Sequence, residues 1–209
     1  MKVILFGAPG SGKGTQAVML AKELNLKKIS LGDILREEVK KESSLGQEVK
    51  SYMEKGLLVS DELVSRVIEE NIDSGDFILD GYPRNLAQAQ KLEEILKKKN
   101  TDMDVFIYLN VDEQTIIDRL SKRRICHECN ANYHLENMPP KEEGICDSCG
   151  GELAQRKDDT PDVIKKRWEV FSRASQEILD FYKGREKLIE VKAQGDKDEI
   201  FESIKKTLQ

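Results

Sequence analysis

The sequence predicts an α/β fold in which helices cover both faces of a doubly wound, five-stranded parallel sheet. Short apolar runs alternate with stretches of helical spacing, and this alternation is typical of parallel sheets. The first apolar run, residues 3–6, leads straight into a glycine-rich turn and a helix. Another run, residues 77–80, ends in a carboxylate at the sheet edge where ligands of open α/β proteins bind.

The other elements follow from local patterns. A short strand begins at Lys28 and runs into a helix near Gly32, and residues 37–55 are polar and favour helix. Further strands are expected at residues 104–110 and 187–191. Helices are expected at residues 16–24, 63–72 with Ser60 as N-cap, 86–98, 113–119, 160 to about 182, and 198–207. Residues 125–152 have little helical periodicity and are interpreted as a small inserted module.

The glycine-rich segment, residues 7–15, has the composition of a phosphate-binding loop. Glycines let the backbone curl so that several N–H groups point at one anion near the positive end of a helix. Lys13 adds a positive charge for the outer phosphates, whereas the alternative is a glycine-rich turn with an incidental lysine. The general pattern has Ser or Thr directly after the lysine, but here Gly14 precedes Thr15. The candidate phosphate-binding residues of this loop are Gly10, Ser11, Gly12, Lys13, Gly14 and Thr15.

Four cysteines form two pairs with the spacing of a zinc ribbon. Cys126 and Cys129 are separated by two residues, as are Cys146 and Cys149, and sixteen residues lie between the pairs. Four thiolates would complete a closed tetrahedron, which predicts a structural Zn²⁺ site. Two disulfides or an iron–sulfur cluster are the alternatives. His127 and His134 are not expected to be ligands.

Composition and charge restrict the possible functions. The 209 residues are enough for one domain with insertions, and 38% hydrophobic with 35% charged residues indicates a globular protein. The net charge of −5 argues against a general nucleic-acid binder. No segment approaches the about 20 apolar residues that span a bilayer, and the first apolar run is too short for a signal peptide. A cytoplasmic protein that does not act on membranes is expected.

Several motifs occur together in the order of one known family. They are residues 7–16, Gly32-Asp33-x-x-Arg36, residues 79–84, Lys122-Arg123-Arg124, and the stretch from Arg156 through Asp158 and Asp159 to Arg167. Over nearly the whole chain these motifs resemble adenylate kinase in the long-lid form that carries zinc. The pair Gly14-Thr15 is similar to that family's own version of the loop.

The resemblance implies a P-loop NTPase-like fold and reversible, Mg²⁺-dependent transfer of a phosphoryl group from ATP to AMP, giving two ADP. This activity would serve adenine nucleotide homeostasis and nucleotide biosynthesis, and a monomer is the expected state. Three parts are implied. They are a core domain at residues 1–29, 60–121 and 160–209, an AMP-binding helical insert at residues 30–59, and a zinc-bearing lid at residues 122–159.

Phosphoryl transfer needs positive charge around several phosphates, and arginine forks also fix phosphate geometry. By resemblance, Arg36 and Arg84 hold the AMP phosphate, Arg123 contacts ATP, and Arg156 and Arg167 bridge the reacting groups. The alternative is a set of solvated surface arginines. The resemblance also assigns Arg119, Gly195, Asn132 and Tyr133 to ATP, and Gly81, Tyr82 and Pro83 to AMP.

The acceptor base and the metal depend on a few more residues. Asp80 is assigned to Mg²⁺ through water, with a turn-capping aspartate as the alternative. Gln88 can pair with an adenine edge, or it lies solvated on a helix face. Asp33 either caps a helix or contacts ligand. Leu31 stands where the family usually has threonine, against the base of the acceptor nucleotide. Leu57, Leu58 and Val59 are expected to line the same pocket.

Two other functions are alternatives to ATP:AMP phosphotransfer. Leu31 leaves room for a kinase that acts on another nucleoside monophosphate. A more remote alternative is an ATP-regulated module that binds nucleic acid through the zinc ribbon and residues 122–124, but the acidic total charge disfavours it.

Overall fold

A five-stranded parallel sheet and a separate three-stranded antiparallel sheet organise the chain, which is described here at residues 1–208 of a computed structural model. The strands are β1 (Lys2–Gly7), β2 (Lys27–Ser30), β3 (Phe77–Asp80), β4 (Val105–Asn110), β5 (Arg123–Cys126), β6 (Asn132–His134), β7 (Leu153–Ala154) and β8 (Leu188–Lys192). The helices are α1 (Lys13–Glu23), α2 (Leu31–Lys40), α3 (Ser44–Glu54), α4 (Asp61–Asn71), α5 (Leu86–Lys98), α6 (Glu113–Ser121), α7 (Pro161–Lys183) and α8 (Lys197–Thr207).

The large sheet has the strand order β2-β3-β1-β4-β8, and every pairing in it is parallel. This confirms the predicted fold class. The central strand β1 buries both of its faces, because alternate side chains point in opposite directions. Ile4 and Phe6 join the hydrophobic core on one side of the sheet, whereas Val3 and Leu5 join the core on the other side.

The central strand also places the predicted site. Leu5 of β1 pairs with Asp80 of β3, so the loop after β1 and the turn after β3 leave the sheet at the same edge. Helix α1 begins at Lys13, directly after the glycine-rich loop. The phosphate-binding loop and the Asp80 carboxylate therefore lie together at the carboxyl ends of adjacent strands, where ligands of open α/β sheets bind.

The polar stretch at residues 37–55 forms two helices rather than one. Helix α2 ends at Lys40, Glu42 adopts a left-handed backbone, and Ser43 then caps α3 by accepting a hydrogen bond from the Gly46 backbone. Gly46 packs against α2 so closely that a Cβ would lie 2.1 Å from the Glu38 carbonyl oxygen. The sequence pattern indicated helix here but not this break.

Ser60 occupies the predicted N-cap position of α4, although its side chain makes no capping hydrogen bond. Helix α7 begins at Pro161 after Thr160 and ends at Lys183, close to the predicted end. Its Tyr182 ring stacks on Phe106 of β4, with ring centroids 4.0 Å apart. This contact anchors the long helix to the central sheet.

The inserted module contains β5, β6 and β7, which pair antiparallel in the order β6-β5-β7. These strands were not predicted, because their residues lack a clear alternating pattern. The core of this module consists of only four buried side chains: Cys126, Tyr133, Cys146 and Leu153. In the described part of the chain, none of the helices has the length and apolar character that crossing a membrane requires.

Candidate active site

The glycine-rich loop presents a binding site for an anion. Gly10 and Gly12 have φ angles of 84° and 95°, a backbone region that favours glycine, and Gly12 occupies the N-cap of α1 without a side-chain cap. The first N–H groups of α1 are therefore left for a ligand. Ser11 is fully buried and supports the loop from inside rather than lining the cleft.

Lys13 lies across the loop. Its Nζ donates hydrogen bonds to the carbonyl oxygens of Gly7 and Ala8, both at 2.7 Å. Desolvation lowers its pKa to about 8; the nearby Asp80 carboxylate raises the pKa, and three arginines, with Arg84 the strongest, lower it further. Positive charges are thus crowded around Lys13, and negatively charged phosphate groups would offset them.

Asp80 ends β3 and lines the cleft beside the start of α1. It is 9% exposed, and a Cβ on Gly14 would lie 3.6 Å from its Oδ2 atom. The carboxylate of Asp80 therefore lies next to the residue that follows Lys13. A buried carboxylate next to a phosphate site matches the oxygen ligands that Mg²⁺ prefers, so the donor set fits this ion.

Carboxylates hold two of the predicted arginines in place. Arg123 forms a two-point contact with Asp159, through Nε to Oδ2 at 2.8 Å and Nη2 to Oδ1 at 2.6 Å. Arg167 contacts Asp158 at 3.0 Å and Asp159 at 3.3 Å. Asp159 is 1% exposed, so these are partly buried pairs with fixed geometry.

Other arginines keep hydrogen-bond donors unused. The Nε atoms of Arg36 and Arg156 are buried and have no partner. Desolvation, followed by the like charges of Arg123 and Arg36, lowers the pKa of Arg156 to about 9. Desolvation and the charge of Arg167 lower the pKa of Arg84 to about 10. Buried unpaired donors with crowded positive charge indicate a site built for anionic oxygens.

One end of the cleft is lined by the residues that the resemblance assigns to ATP outside the phosphate loop. Arg119 donates to the carbonyl oxygens of Gly195, at 3.1 Å, and Ser11, at 3.4 Å. Gly195 has a φ of 104°, which brings its backbone to the cleft. Asn132 accepts a hydrogen bond from Arg156 at 2.9 Å, and the Tyr133 ring lines the cleft. The Tyr133 hydroxyl turns away and accepts a hydrogen bond from the Asp147 backbone.

The opposite end is lined by the aliphatic side chains of Leu31, Leu57, Leu58 and Val59, together with Gln88. Gln88 is 2% exposed, so the interpretation as a solvated helix-face residue is wrong. Tyr82 does not line the cleft, although it was assigned to AMP. It is 1% exposed and its hydroxyl bonds to Ser65 at 2.9 Å, which makes it a core residue.

Asp33 is not the cap of α2, so the first of its two proposed roles is wrong, whereas its carboxylate does line the cleft. Ser30 is the N-cap of α2, and the Asp33 carboxylate instead pairs with Arg36 and, at 2.9 Å, with Lys28. Desolvation opposes ionisation of Asp33, but these two cations outweigh it and hold its pKa well below the usual range. Asp33 therefore orients Arg36 rather than capping a helix.

A single cavity of about 310 Å³ joins these regions. Its lining includes every predicted nucleotide-binding residue except Ser11 and Tyr82, and it includes Asp80. The predicted lid and the AMP insert touch across it. Lys40 of α2 lies 3.6 Å from Glu128, and Lys157 lies 3.7 Å from Glu54. The sequence reasoning did not identify these bridging pairs or the roles of Asp158 and Asp159, since none of these contacts has a local signature.

The four cysteines converge as predicted. Their sulfur atoms all lie within 4.8 Å of one another, with Cys126 and Cys149 at 3.4 Å and Cys129 and Cys146 at 3.5 Å. Disulfide sulfurs are about 2.0 Å apart, so the disulfide alternative is wrong. Sulfurs around a Zn²⁺ ion, each at about 2.3 Å, would be about 3.8 Å apart, so the set fits zinc. A hydrogen bond from Tyr133 lowers the pKa of Cys146 to about 6, which favours the thiolate.

Comparisons with known proteins agree with this geometry. The family model described as adenylate kinase matches residues 5–187. An adenylate kinase of Methanocella arvoryzae is 46% identical over 213 residues, covering 100% of this chain and 99% of the relative. One from Caldicellulosiruptor bescii is 44% identical and covers 100% and 98%, respectively.

The chain belongs to the adenylate kinase family. A third relative, the adenylate kinase of Caldanaerobacter subterraneus subsp. tengcongensis, is 42% identical and is matched over 96% of its length. Membership in the adenylate kinase family favours the kinase over the remote alternative of a nucleic-acid-binding module. It also agrees with the order of motifs from the phosphate loop to Arg167.

Proposed function

We propose that the chain transfers a phosphoryl group reversibly between ATP and AMP, forming two ADP. The single observation that carries this proposal is the continuous cavity. It joins an uncapped helix N-terminus, unpaired arginine donors and an aliphatic pocket that contains one amide. This arrangement places positive charge for phosphates between the two ends of the cleft, as two nucleotides with facing phosphates would require.

The residues then divide the chemistry between them. The loop N–H groups and Lys13 bind the outer ATP phosphates, and Arg36 and Arg84 hold the AMP phosphate. An oxygen of the AMP phosphate attacks the terminal phosphorus of ATP, a new P–O bond forms, and the bond to the bridging oxygen of ADP breaks. Arg123, Arg156 and Arg167 stabilise the charge that spreads over the transferred group. The AMP phosphate is already an anion at neutral pH, so no general base is needed.

Two metal ions support these roles. Asp80 would hold Mg²⁺ through water, and the ion would offset charge on the ATP phosphates. Cys126, Cys129, Cys146 and Cys149 would hold a structural Zn²⁺, which leaves no open coordination position for catalysis. Iron in the same four-thiolate site is the alternative, and metal analysis of the purified protein distinguishes the two.

The three-part division expected from the sequence is proposed here as the working organisation. Residues 1–29, 60–121 and 160–209 would act as the core, of which Gln209 lies outside the described residues. Residues 30–59 would bind AMP, and residues 122–159 would close over ATP and exclude water. The pairs Lys40–Glu128 and Lys157–Glu54 support closure, because they join the lid to the insert.

We also propose that the protein acts as a monomer in the cytoplasm. Four cysteines held as metal ligands rather than disulfides fit a reducing compartment. A molar mass near 23.8 kDa in light scattering is the expected result for a monomer.

The decisive experiment measures ADP formed from ATP plus AMP, with zinc content determined on the same sample. CMP, UMP and GMP are compared as acceptors in the same assay, because Leu31 is fully buried and lines the acceptor pocket. AMP is expected to give the highest kcat/KM. A preference for another monophosphate would support the second candidate, and no ADP from any acceptor would refute both.

A further inference from the structure

The amide of Gln88 is held from both ends. Its Oε1 accepts a hydrogen bond from the Arg84 backbone N–H at 2.8 Å. Its Nε2 donates to Oδ1 of Asp61 at 2.7 Å. A backbone N–H can only donate and a carboxylate can only accept, so both partners impose the same orientation on the amide.

Asp61 holds a second amide as well. Asn85, the N-cap of α5, donates from Nδ2 to both carboxylate oxygens of Asp61, at 2.9 and 3.0 Å, and its Oδ1 accepts from the Gln88 backbone. Asp61 lies in the first turn of α4, so one carboxylate joins the starts of two helices. Neither the sequence motifs nor the assigned nucleotide-binding residues include it.

The orientation of the Gln88 amide matters because the neighbouring side chains that line this pocket are aliphatic. Leu31, Leu57, Leu58 and Val59, which line the same pocket, offer no side-chain hydrogen bond. Each amide atom of Gln88 keeps one free position: a second N–H on Nε2 and a second lone pair on Oε1. Adenine offers a ring acceptor beside an amino donor, whereas hypoxanthine offers a ring N–H beside a carbonyl. An amide turned by 180° would match hypoxanthine instead.

We propose that Asp61 is a positioning residue that fixes the Gln88 amide in the orientation that selects AMP over IMP. The proposal rests on the proposed function and names the residue behind its acceptor specificity. The same amide accepts a hydrogen bond from the backbone of Arg84, so the base-reading side chain is joined directly to a phosphate-binding arginine at one end and to Asp61 at the other.

The test compares Asp61→Ala and Asp61→Asn with the unaltered chain, using AMP and IMP as acceptors. We expect the AMP/IMP ratio of kcat/KM to fall about tenfold in Asp61→Ala, mainly through a higher KM for AMP. Asp61→Asn should lose less, because its carbonyl can still accept from Nε2. Thermal melting shows which variants fold. If Asp61→Ala does not fold, the AMP/IMP ratio of Asp61→Asn tests the proposal. An unchanged ratio in the folded variant would overturn the proposal.

Two controls separate positioning from a general effect on α4. Glu62→Gln removes the neighbouring exposed charge in the same helical turn and should leave the ratio unchanged. In a Gln88→Ala background, removing Asp61 should have no further effect on the ratio, since the amide it positions is absent. An equal loss in that background, or in Glu62→Gln, would refute the positioning role.

Binding of AMP and IMP measured by calorimetry reads the pocket without turnover. A shift in this binding ratio supports the role of Asp61 even in a chain that forms no ADP. Absence of ADP from the unaltered chain would instead count against the proposed function alone.

Discussion

The large parallel sheet and the lid position their active-site cations by different physical means. In the core, β1 is covered on both faces by apolar side chains, and Lys13 is held by two backbone carbonyl oxygens. In the lid, two of the four buried core residues are cysteines, and Arg123 is held by the Asp159 carboxylate. The core is thus built on hydrophobic burial, whereas the lid is built around clustered cysteines and ion pairs.

This difference shows that two parts of one site can be stabilised by different interactions. A module as small as the lid buries little apolar surface, so we propose that metal ligation by its four cysteines substitutes for a core. We propose that its cations move with the lid when nucleotides enter. The core cations stay in place, and we expect them to contribute more to the reaction than the lid cations.

The largest loss is expected for Lys13→Met. This change removes the charge at the centre of the phosphate loop while keeping an apolar chain of similar length, so kcat/KM should fall about 10⁴-fold. ADP formation under subsaturating ATP and AMP measures the effect. Lys22→Met, on the exposed face of the same helix, is the matched control and should behave like the unaltered chain. A milder loss than for any lid arginine would contradict the ranking of core over lid.

Arg84→Ala should follow, with kcat/KM lower by about 10³-fold and the fold intact. Arg84 follows the β3 turn, and its Nε donates to the Gly81 carbonyl oxygen at 2.8 Å, which aims the guanidinium from the core side of the cleft. Circular dichroism and melting check the fold. Arg66→Ala, which removes an exposed arginine of α4, is the control. Near-normal kcat/KM for Arg84→Ala would refute its role at the reacting phosphates.

For the lid, Arg156→Ala should lower kcat/KM by about 10²-fold. Its buried Nε has no partner, so the lost interaction is one that a phosphate would otherwise make. Arg124→Ala removes an arginine from the neighbouring strand β5 that lies outside the cleft lining, and it should have little effect. The comparison of core and lid would fail if Arg156→Ala were as damaging as Lys13→Met.

The same contrast explains what the sequence could predict. Strand β1 and the loop after it could be predicted because apolar spacing and glycine positions are local signals in the sequence. Strands β5 to β7 were missed because the lid is organised by four sulfurs rather than by a periodic apolar face. Tyr82 was assigned to AMP because it lies inside a nucleotide-binding motif, but the chain turns its ring into the core.

Ion pairs and hydrogen bonds between residues far apart in the sequence also could not be predicted. Asp159 is 36 positions from Arg123, and Asp61 is 27 positions from Gln88. No periodicity marks such partners, since their proximity is created by packing of helices and strands. The cations themselves were predicted, whereas the carboxylates and amides that aim them required the structure.

The pH dependence of ATP binding tests the role of the Lys13 charge in the core. Desolvation lowers the pKa of Lys13 to about 8, so its charge is present below that pH and lost above it. ATP needs the charged form, so its affinity should fall by about tenfold between pH 7 and pH 9, with uptake of a proton on binding. Calorimetry in two buffers measures both quantities. The dependence should disappear in Lys13→Met, and a variant that retained it would assign the titration to another group.

Metal removal should have the smallest effect on turnover and should act on the lid alone. Without an ion, the four cysteines lose the contacts that hold the two turns together, so residues 122–159 should become sensitive to protease and the melting temperature should fall. The core sheet buries its own apolar surface and should keep binding AMP, because the acceptor pocket contains no cysteine. Added Zn²⁺ should restore protease resistance, which separates metal loss from oxidation of the thiols. If a chelated sample with no bound metal kept its melting temperature and its turnover, the lid would not depend on the ion and the contrast with the core would be wrong.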